Sequence, residues 1–182
     1  MPIIAVGGPR KGVGKTELVC GLIAALPQFR WTAVKITTHH YGQPEPIWEE
    51  TIAGQGTDTA RYLAAGARRA ILVTMPESSL SLAKIQAAVG VDTNVLFESN
   101  NIVSVLQPDL CLAILDASQA DRKPSFEPFV EHADAFVALS ESSAMHLSFA
   151  FAKPLFKLSE LDCISAEMLE WLHDRLNLSQ SS

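Results

Sequence analysis

Pro2-Ile3-Ile4-Ala5-Val6, running directly into Gly7-Gly8-Pro9-Arg10-Lys11-Gly12-Val13-Gly14-Lys15-Thr16, is the stretch on which the fold of this 182-residue chain turns. The apolar run reads as a buried strand. From Thr16 the chain continues Glu17-Leu18-Val19-Cys20-Gly21-Leu22-Ile23-Ala24-Ala25-Leu26, an apolar helix that Pro27 stops. A strand, a glycine-rich turn closing in Gly-Lys-Thr and a helix together make a phosphate cradle. Loop amides and the helix N-terminus face an anion, the lysine reaches the outer phosphates and the threonine hydroxyl ligates magnesium. Gly-x-Gly-Lys-Thr alone recurs by chance and needs no ligand; the strand before it and the helix after it carry the phosphate reading. Counted back from Lys15, the position of the loop's usual first glycine holds Pro9, and Gly8 stands one residue too early to replace it.

Composition limits what surrounds this loop. Hydrophobic residues make up 48% of the chain and charged ones 19%, enough apolar surface for a substantial core and too little charge for a disordered chain. The net charge of −6, with no run of Lys or Arg longer than two, excludes a general binder of nucleic acid or of membrane surfaces. No basic leader precedes an apolar stretch and no apolar run is long enough to span a bilayer, so the expected location is the cytoplasm. Cys20, Cys111 and Cys163 are odd in number, lack paired spacing and lie in apolar segments, which predicts buried reduced thiols.

Short apolar runs alternate with helical patterns along the whole chain. The runs at 3–6, 33–36, 70–74, 94–98, 110–115, 135–139 and 154–158 predict strands buried on both faces. Helices are expected at 15–26, 58–65, 80–89, 126–132 and 165–176. The alternation predicts an α/β, doubly wound, mostly parallel sheet with flanking helices, of P-loop NTPase type. One nucleotide-binding domain over 1–178 and a frayed tail over 179–182 are expected. The segment Thr38 to Gly56 carries two prolines, three glycines and few core residues, and reads as a long mobile loop near the ligand.

Ligands of such sheets sit at the C-terminal strand ends. Glu98 closes an apolar strand, where an unpaired buried charge is costly, and is expected to hold magnesium through water or to orient an attacking water. Asp116 offers a second strand-end acid, or equally a cap of the next turn through Ser118. Thr57 and Asp58 either cap a helix with no further function or turn Asp58 or Thr59 toward the phosphate or the magnesium. His39 and His40 are adjacent on an extended segment and point to opposite faces, which disfavours a shared metal. They are ordinary loop residues or contacts to an anionic ligand or catalytic water. The guanine-reading pattern Asn-Lys-x-Asp is absent, and Leu139-Ser140-Glu141-Ser142-Ser143 does not specify a base.

These residues resemble the molybdopterin-guanine dinucleotide biosynthesis protein B family of P-loop proteins. The likeness runs from Gly12-Val13-Gly14-Lys15-Thr16 through Val34-Lys35-Ile36-Thr37-Thr38-His39-His40, similar to the family's Lys-His-x-His-His segment. It continues in Gly56-Thr57-Asp58-Thr59 with Leu63-Ala64-Ala65-Gly66-Ala67, in the strand ending at Glu98, and in Lys153-Pro154-Leu155-Phe156 leading to Glu160-Leu161-Asp162. Ile36 stands where the family has its first histidine, and Ser99-Asn100 where it has glycine. The resemblance implies a dimeric, GTP-binding accessory protein with weak hydrolysis that assists attachment of a nucleotide to molybdenum cofactor. The loop's tail also looks like that of the partition and septum-site ATPases. A lysine stands five positions before their loop lysine; here that position is Arg10, with Lys11 beside it, which on that likeness would reach a partner's nucleotide.

The expected ligands are therefore Mg2+ with GTP or ATP, and the expected state is a homodimer serving a molybdenum-cofactor biosynthesis protein or another client. Lys15, Glu98 and Asp58 form the expected catalytic set, and Thr16, Glu98 and Asp116 the metal set. Gly8, Arg10, Lys11, Gly12, Val13, Gly14, Lys15, Thr16, Glu17 and His39 form the expected nucleotide-binding set. Two alternatives share the frame: a small-molecule ATP-dependent ligase or kinase of the dethiobiotin-synthetase-like type, and a non-catalytic adaptor switched by nucleotide.

Overall fold

Strands with no polar face have none to give to water, so they pair in the middle of a sheet and are covered on both sides. The computed structural model describes residues 2–38, 45–91, 94–116, 123–139 and 152–178. Within them lie β1 (Ile3–Gly7), α1 (Lys15–Ala25), β2 (Thr32–Thr37), β3 (Ile47–Glu50), α2 (Asp58–Ala64), β4 (Arg69–Thr74) and α3 (Leu82–Val89). They are followed by β5 (Val95–Glu98), β6 (Leu110–Leu115), α4 (Phe126–His132), β7 (Ala135–Ala138), β8 (Leu155–Lys157) and α5 (Ala166–Leu178). The strands form one eight-stranded sheet in the order β3-β4-β2-β5-β1-β6-β7-β8. Every pairing is parallel except that of β3 with β4. This is the α/β architecture of the P-loop NTPases, and each expected strand and helix forms with its ends displaced by at most a residue or two.

Alternation along the strands divides the core. Ile4, Val6, Leu96, Leu110, Leu112 and Ile114 point to one face, which packs on α1, α2 and α5 through Leu18, Leu22, Tyr62, Met168 and Leu172. Ala5, Val34, Phe97, Cys111, Ala113 and Phe136 point to the other, covered by Ile85 of α3 and by Phe126 and Phe129 of α4. Central β1 sends its chain to β2, two strands away on one side, and β6 flanks it on the other. Beyond Gly7 the strand order reverses, and the crevice at such a point takes the ligand in open α/β sheets.

Two expectations are corrected. Thr38–Gly56 is not wholly a loop, because Ile47–Glu50 pairs antiparallel with β4 as the sheet's edge. Its four residues show no alternating apolar pattern and follow Pro46, and an edge strand needs only one hydrogen-bonded neighbour. Cys163 is exposed, whereas Cys111 is buried and Cys20 partly so. It lies in the turn 159–163 that leads into α5, not in a strand or helix. The expected tail 179–182 lies outside the described residues. Among the described residues, no helix is long and apolar enough to cross a membrane.

The turn after β8 also presses on α1. A Cβ on Gly21 would stand 2.7 Å from the carbonyl oxygen of Asp162 and 2.8 Å from its Cα, both backbone atoms that cannot swing away. Alanine gains about 1 kcal/mol over glycine in a helix interior, yet overpacking against a fixed backbone costs roughly 1–3 kcal/mol. Gly21→Ala is therefore expected to lower stability in urea denaturation, against its helix propensity; a stabilised variant would show that this contact gives way.

Candidate functional site

The loop between β1 and α1 is built by glycines that could not be replaced at equal cost. Gly12 and Gly14 lie in the left-handed region, at φ +75° and +94°. A Cβ on Gly14 would also overlap Leu161 Cδ1 at 2.1 Å, and one on Gly7 would enter the Phe129 ring at 2.4 Å. As the cap residue of α1, Gly14 has no side chain to bond the first-turn amides. Those amides and the positive end of the helix dipole are what a phosphate meets.

Pro9 is accommodated by two anchors. The Asn100 side chain accepts the Gly8 N–H at 2.9 Å and donates to the Gly8 carbonyl at 3.0 Å. The Lys123 N–H donates to the Pro9 carbonyl at 2.8 Å. The start of the loop is thus tied to the ends of two neighbouring strand–loop segments, and the proline, which has no N–H to give, is asked only to accept.

A cleft of about 270 Å³ opens above this loop, and Gly12, Lys15, Thr16, Lys35, Asp58, Glu98 and Lys123 are among the residues that line it. Glu98, at 4% exposure, is its innermost charge. Parallel register sets Lys35 of β2 and Glu98 of β5 side by side on the α1/α2 face of the sheet. Lys35 Nζ donates to Glu98 Oε1 at 2.7 Å and lies 2.5 Å from Asp58 Oδ2. Glu98 Oε2 accepts the Thr16 hydroxyl at 2.8 Å and the Tyr62 hydroxyl as well. Four secondary-structure elements, α1, α2, β2 and β5, therefore meet at one carboxylate.

Electrostatics follow the burial. Burial pulls Lys35 down, but Glu98 and Asp58 outweigh it and hold the ammonium above its ordinary value. Burial pushes Asp58 up, and Lys35 with the Thr16 hydroxyl more than reverses that, so the carboxyl lies below the usual range. Tyr62 is driven well above the usual phenol value, first by burial and then by the Glu98 charge. Lys15 behaves differently. Burial brings it from 10.5 to about 8, Glu98 only partly offsets this, and the Lys35 and Lys123 charges add to the depression. Its ammonium donates to the Arg10 carbonyl at 2.8 Å.

The structure brings together Lys11, Gly12, Gly14, Lys15, Thr16, Glu17, Asp58 and Glu98 of the residues expected from sequence. Glu17 is paired across to α2 by Arg61 at 3.1 Å. Gly8, Arg10, Val13 and Asp116 do not line the cleft. Gly8 is spent on Asn100, Val13 packs into the core, and Arg10 and Asp116 form an ion pair with each other within this chain. Asp116, expected among the metal ligands, thus has its carboxylate turned to a guanidinium, because the loop folds back toward the end of β6. His39 and His40 lie outside the described residues, as do 140–143.

Sequence reasoning left Lys35, Tyr62, Asn100 and Lys123 out of the catalytic, nucleotide-binding and metal sets. Lys35 alone left a signal, a charge inside the apolar strand Ala33-Val34-Lys35-Ile36. The missed edge strand also has a part. Glu50 of β3 accepts the Thr57 hydroxyl at 3.0 Å, while Thr57 Oγ1 accepts the Ala60 N–H at 3.1 Å and so caps the helix that carries Asp58.

The residues present fit a magnesium ion. The Thr16 hydroxyl donates its hydrogen bond to Glu98 and so leaves its lone pairs for a metal, and the oxygens of Thr16, Asp58 and Glu98 are the hard donors such an ion prefers.

No protein-family model matches the chain, and neither does any curated protein. Several solved structures share its fold, including two with TM-scores just above 0.5. LpxK from Aquifex aeolicus, in complex with ATP, superposes with a TM-score of 0.52 at 18% identity over 86% of this chain. This chain spans about half of that protein, 53% of its length. A MobB protein homolog from Bacillus stearothermophilus superposes with a TM-score of 0.51 at 18% identity, over 98% of this chain and 99% of that one. The chain is thus similar to a MobB homolog from end to end in fold.

A half-buried Lys15 makes the ligand-free protein pH-sensitive. At pH 7 the lysine is charged in both states, and burial penalises only the native one. Between about pH 8 and 10.5 the native lysine has lost its proton while the unfolded one keeps it, so stability rises with pH through that window. Lys15→Met is expected to raise the melting temperature of the free protein at pH 7, by roughly 1–3 kcal/mol of stability, and to lose that advantage by pH 10. A constant difference across the window would contradict the placement of Lys15.

Proposed function

We propose that this chain is a Mg-dependent nucleoside-triphosphate-binding protein with weak hydrolysis, acting as an accessory factor of the molybdenum-cofactor guanylylation type, with GTP as the nucleotide and ATP as the alternative. The observation that carries the reading is the contact of Thr16 with Glu98 directly beneath a loop whose glycines and helix start face the cleft. The end-to-end likeness to a MobB homolog, at 18% identity, supports the accessory role over a larger enzyme assembled on the same frame.

In this reading Lys15 exchanges the Arg10 carbonyl for the outer phosphates, whose charge favours its protonated form against the burial that lowers it. Gly12 and Gly14 let the loop backbone approach the phosphate oxygens closely. Thr16 is the hydroxyl ligand of Mg2+. Glu98, whose oxygens already accept three donors, orients Thr16 and would hold the metal from behind that hydroxyl. Held by these residues, Mg2+ would supply charge neutralisation to the phosphates. Turnover is expected to be slow, on the order of 0.01 s⁻¹ or below as for unassisted P-loop NTPases.

Isothermal titration with GTP and with ATP, each with and without Mg2+, tests the proposal. Wild type should bind at least one of them in a Mg-dependent way and gain thermal stability by mass action. Lys15→Ala should weaken binding by about 100-fold, the value of one or two charge-assisted contacts. Thr16→Ala should remove most of the Mg2+ dependence. Equal nucleotide affinity in wild type and Lys15→Ala would overturn the assignment, and preference for ATP over GTP would replace the guanine part of it.

A further inference from the structure

A cation already stands among the oxygens assigned to magnesium. Lys35 Nζ lies 2.7 Å from Glu98 Oε1 and 2.5 Å from Asp58 Oδ2, and Thr16 shares the same Glu98 carboxylate. The ammonium is not there by the chance reach of a surface side chain. Lys35 is only 14% exposed, and parallel pairing of β2 with β5 fixes it opposite Glu98. Its two partners come from different elements, so the carboxylates gather around it as they would around a metal.

We propose that Lys35 is a tethered counter-ion that holds the divalent-cation site in the nucleotide-free protein and keeps metal out until a nucleotide arrives. The inference rests on the functional reading above and concerns the order of binding. A metal entering alone would have to displace an ammonium of very high effective concentration from Glu98 and Asp58, leaving it beside the like charge of Lys15. A nucleotide changes that balance. Its phosphates supply both ligands to the metal and a destination for the displaced ammonium, which already lines the cleft. Metal and nucleotide then bind with positive coupling, because each supplies what the other's arrival requires.

Manganese binding followed by electron paramagnetic resonance tests this without relying on turnover. Nucleotide-free wild type should take up Mn2+ at least about tenfold more weakly than nucleotide-free Lys35→Gln, the scale expected from removing one opposing unit charge near the surface. Lys35→Arg, which keeps the charge, should behave as wild type, and Glu98→Gln added to Lys35→Gln should abolish the gained site. With GTP or ATP present, wild type should bind one Mn2+ tightly. Tight Mn2+ uptake by nucleotide-free wild type would overturn the proposal, and this arm decides even if Lys35→Gln does not fold. No gain in a folded Lys35→Gln that still binds Mn-nucleotide would also overturn it. Failure of wild type to bind Mn2+ even with nucleotide would instead sink the functional reading, and this inference with it.

Discussion

A carboxylate cannot remain charged at the end of a buried strand unless its oxygens are filled, and the organisation of this site follows from how Glu98 meets that demand. Its donors are Thr16 from the start of α1, Lys35 from β2 and Tyr62 from α2. Each donor comes from a different element, so satisfying one charge also fixes the orientation of two helices over the sheet. Lys35 in turn needs Asp58, and Asp58 needs the Thr57 cap that Glu50 holds. The chain of dependence runs from the edge strand to the middle of the sheet.

The loop is held by a second set of constraints of a different kind. Asn100 and Lys123 fix its first residues by hydrogen bonds, whereas Phe129, Leu161 and the Asp162 backbone close against its glycines and those of α1 by contact alone. Together they leave the loop little room to collapse when no anion is present. Pro9 fits because its neighbours demand a carbonyl from it and no donor. Asn100 supplies the clamp on Gly8 that accompanies this proline.

Arg10 and Asp116 show what the tertiary structure adds to a motif. By sequence one could reach a partner's nucleotide and the other could hold a metal. Folded, they neutralise each other in the same chain, outside the cleft. The positive charges that do line the cleft come instead from Lys11, Lys15, Lys35, Arg61 and Lys123, on segments far apart in the chain.

The amino-acid sequence by itself determined the loop, the seven apolar strands, the five helices and the strand-end acid Glu98. Each is a local signal: glycine where φ turns positive, continuous apolar residues where both faces are covered, a break at proline. The four-residue edge strand escaped because half of Ile47-Trp48-Glu49-Glu50 is acidic and its pairing is made by a distant partner. Lys35, Tyr62, Asn100 and Lys123 escaped for the same reason. What makes them site residues is register and approach: Lys35 lies opposite Glu98 only because β2 and β5 are parallel neighbours in that alignment. Local chemistry could say that a phosphate loop was present. Only the packing of strands far apart in sequence decided which charges stand around it.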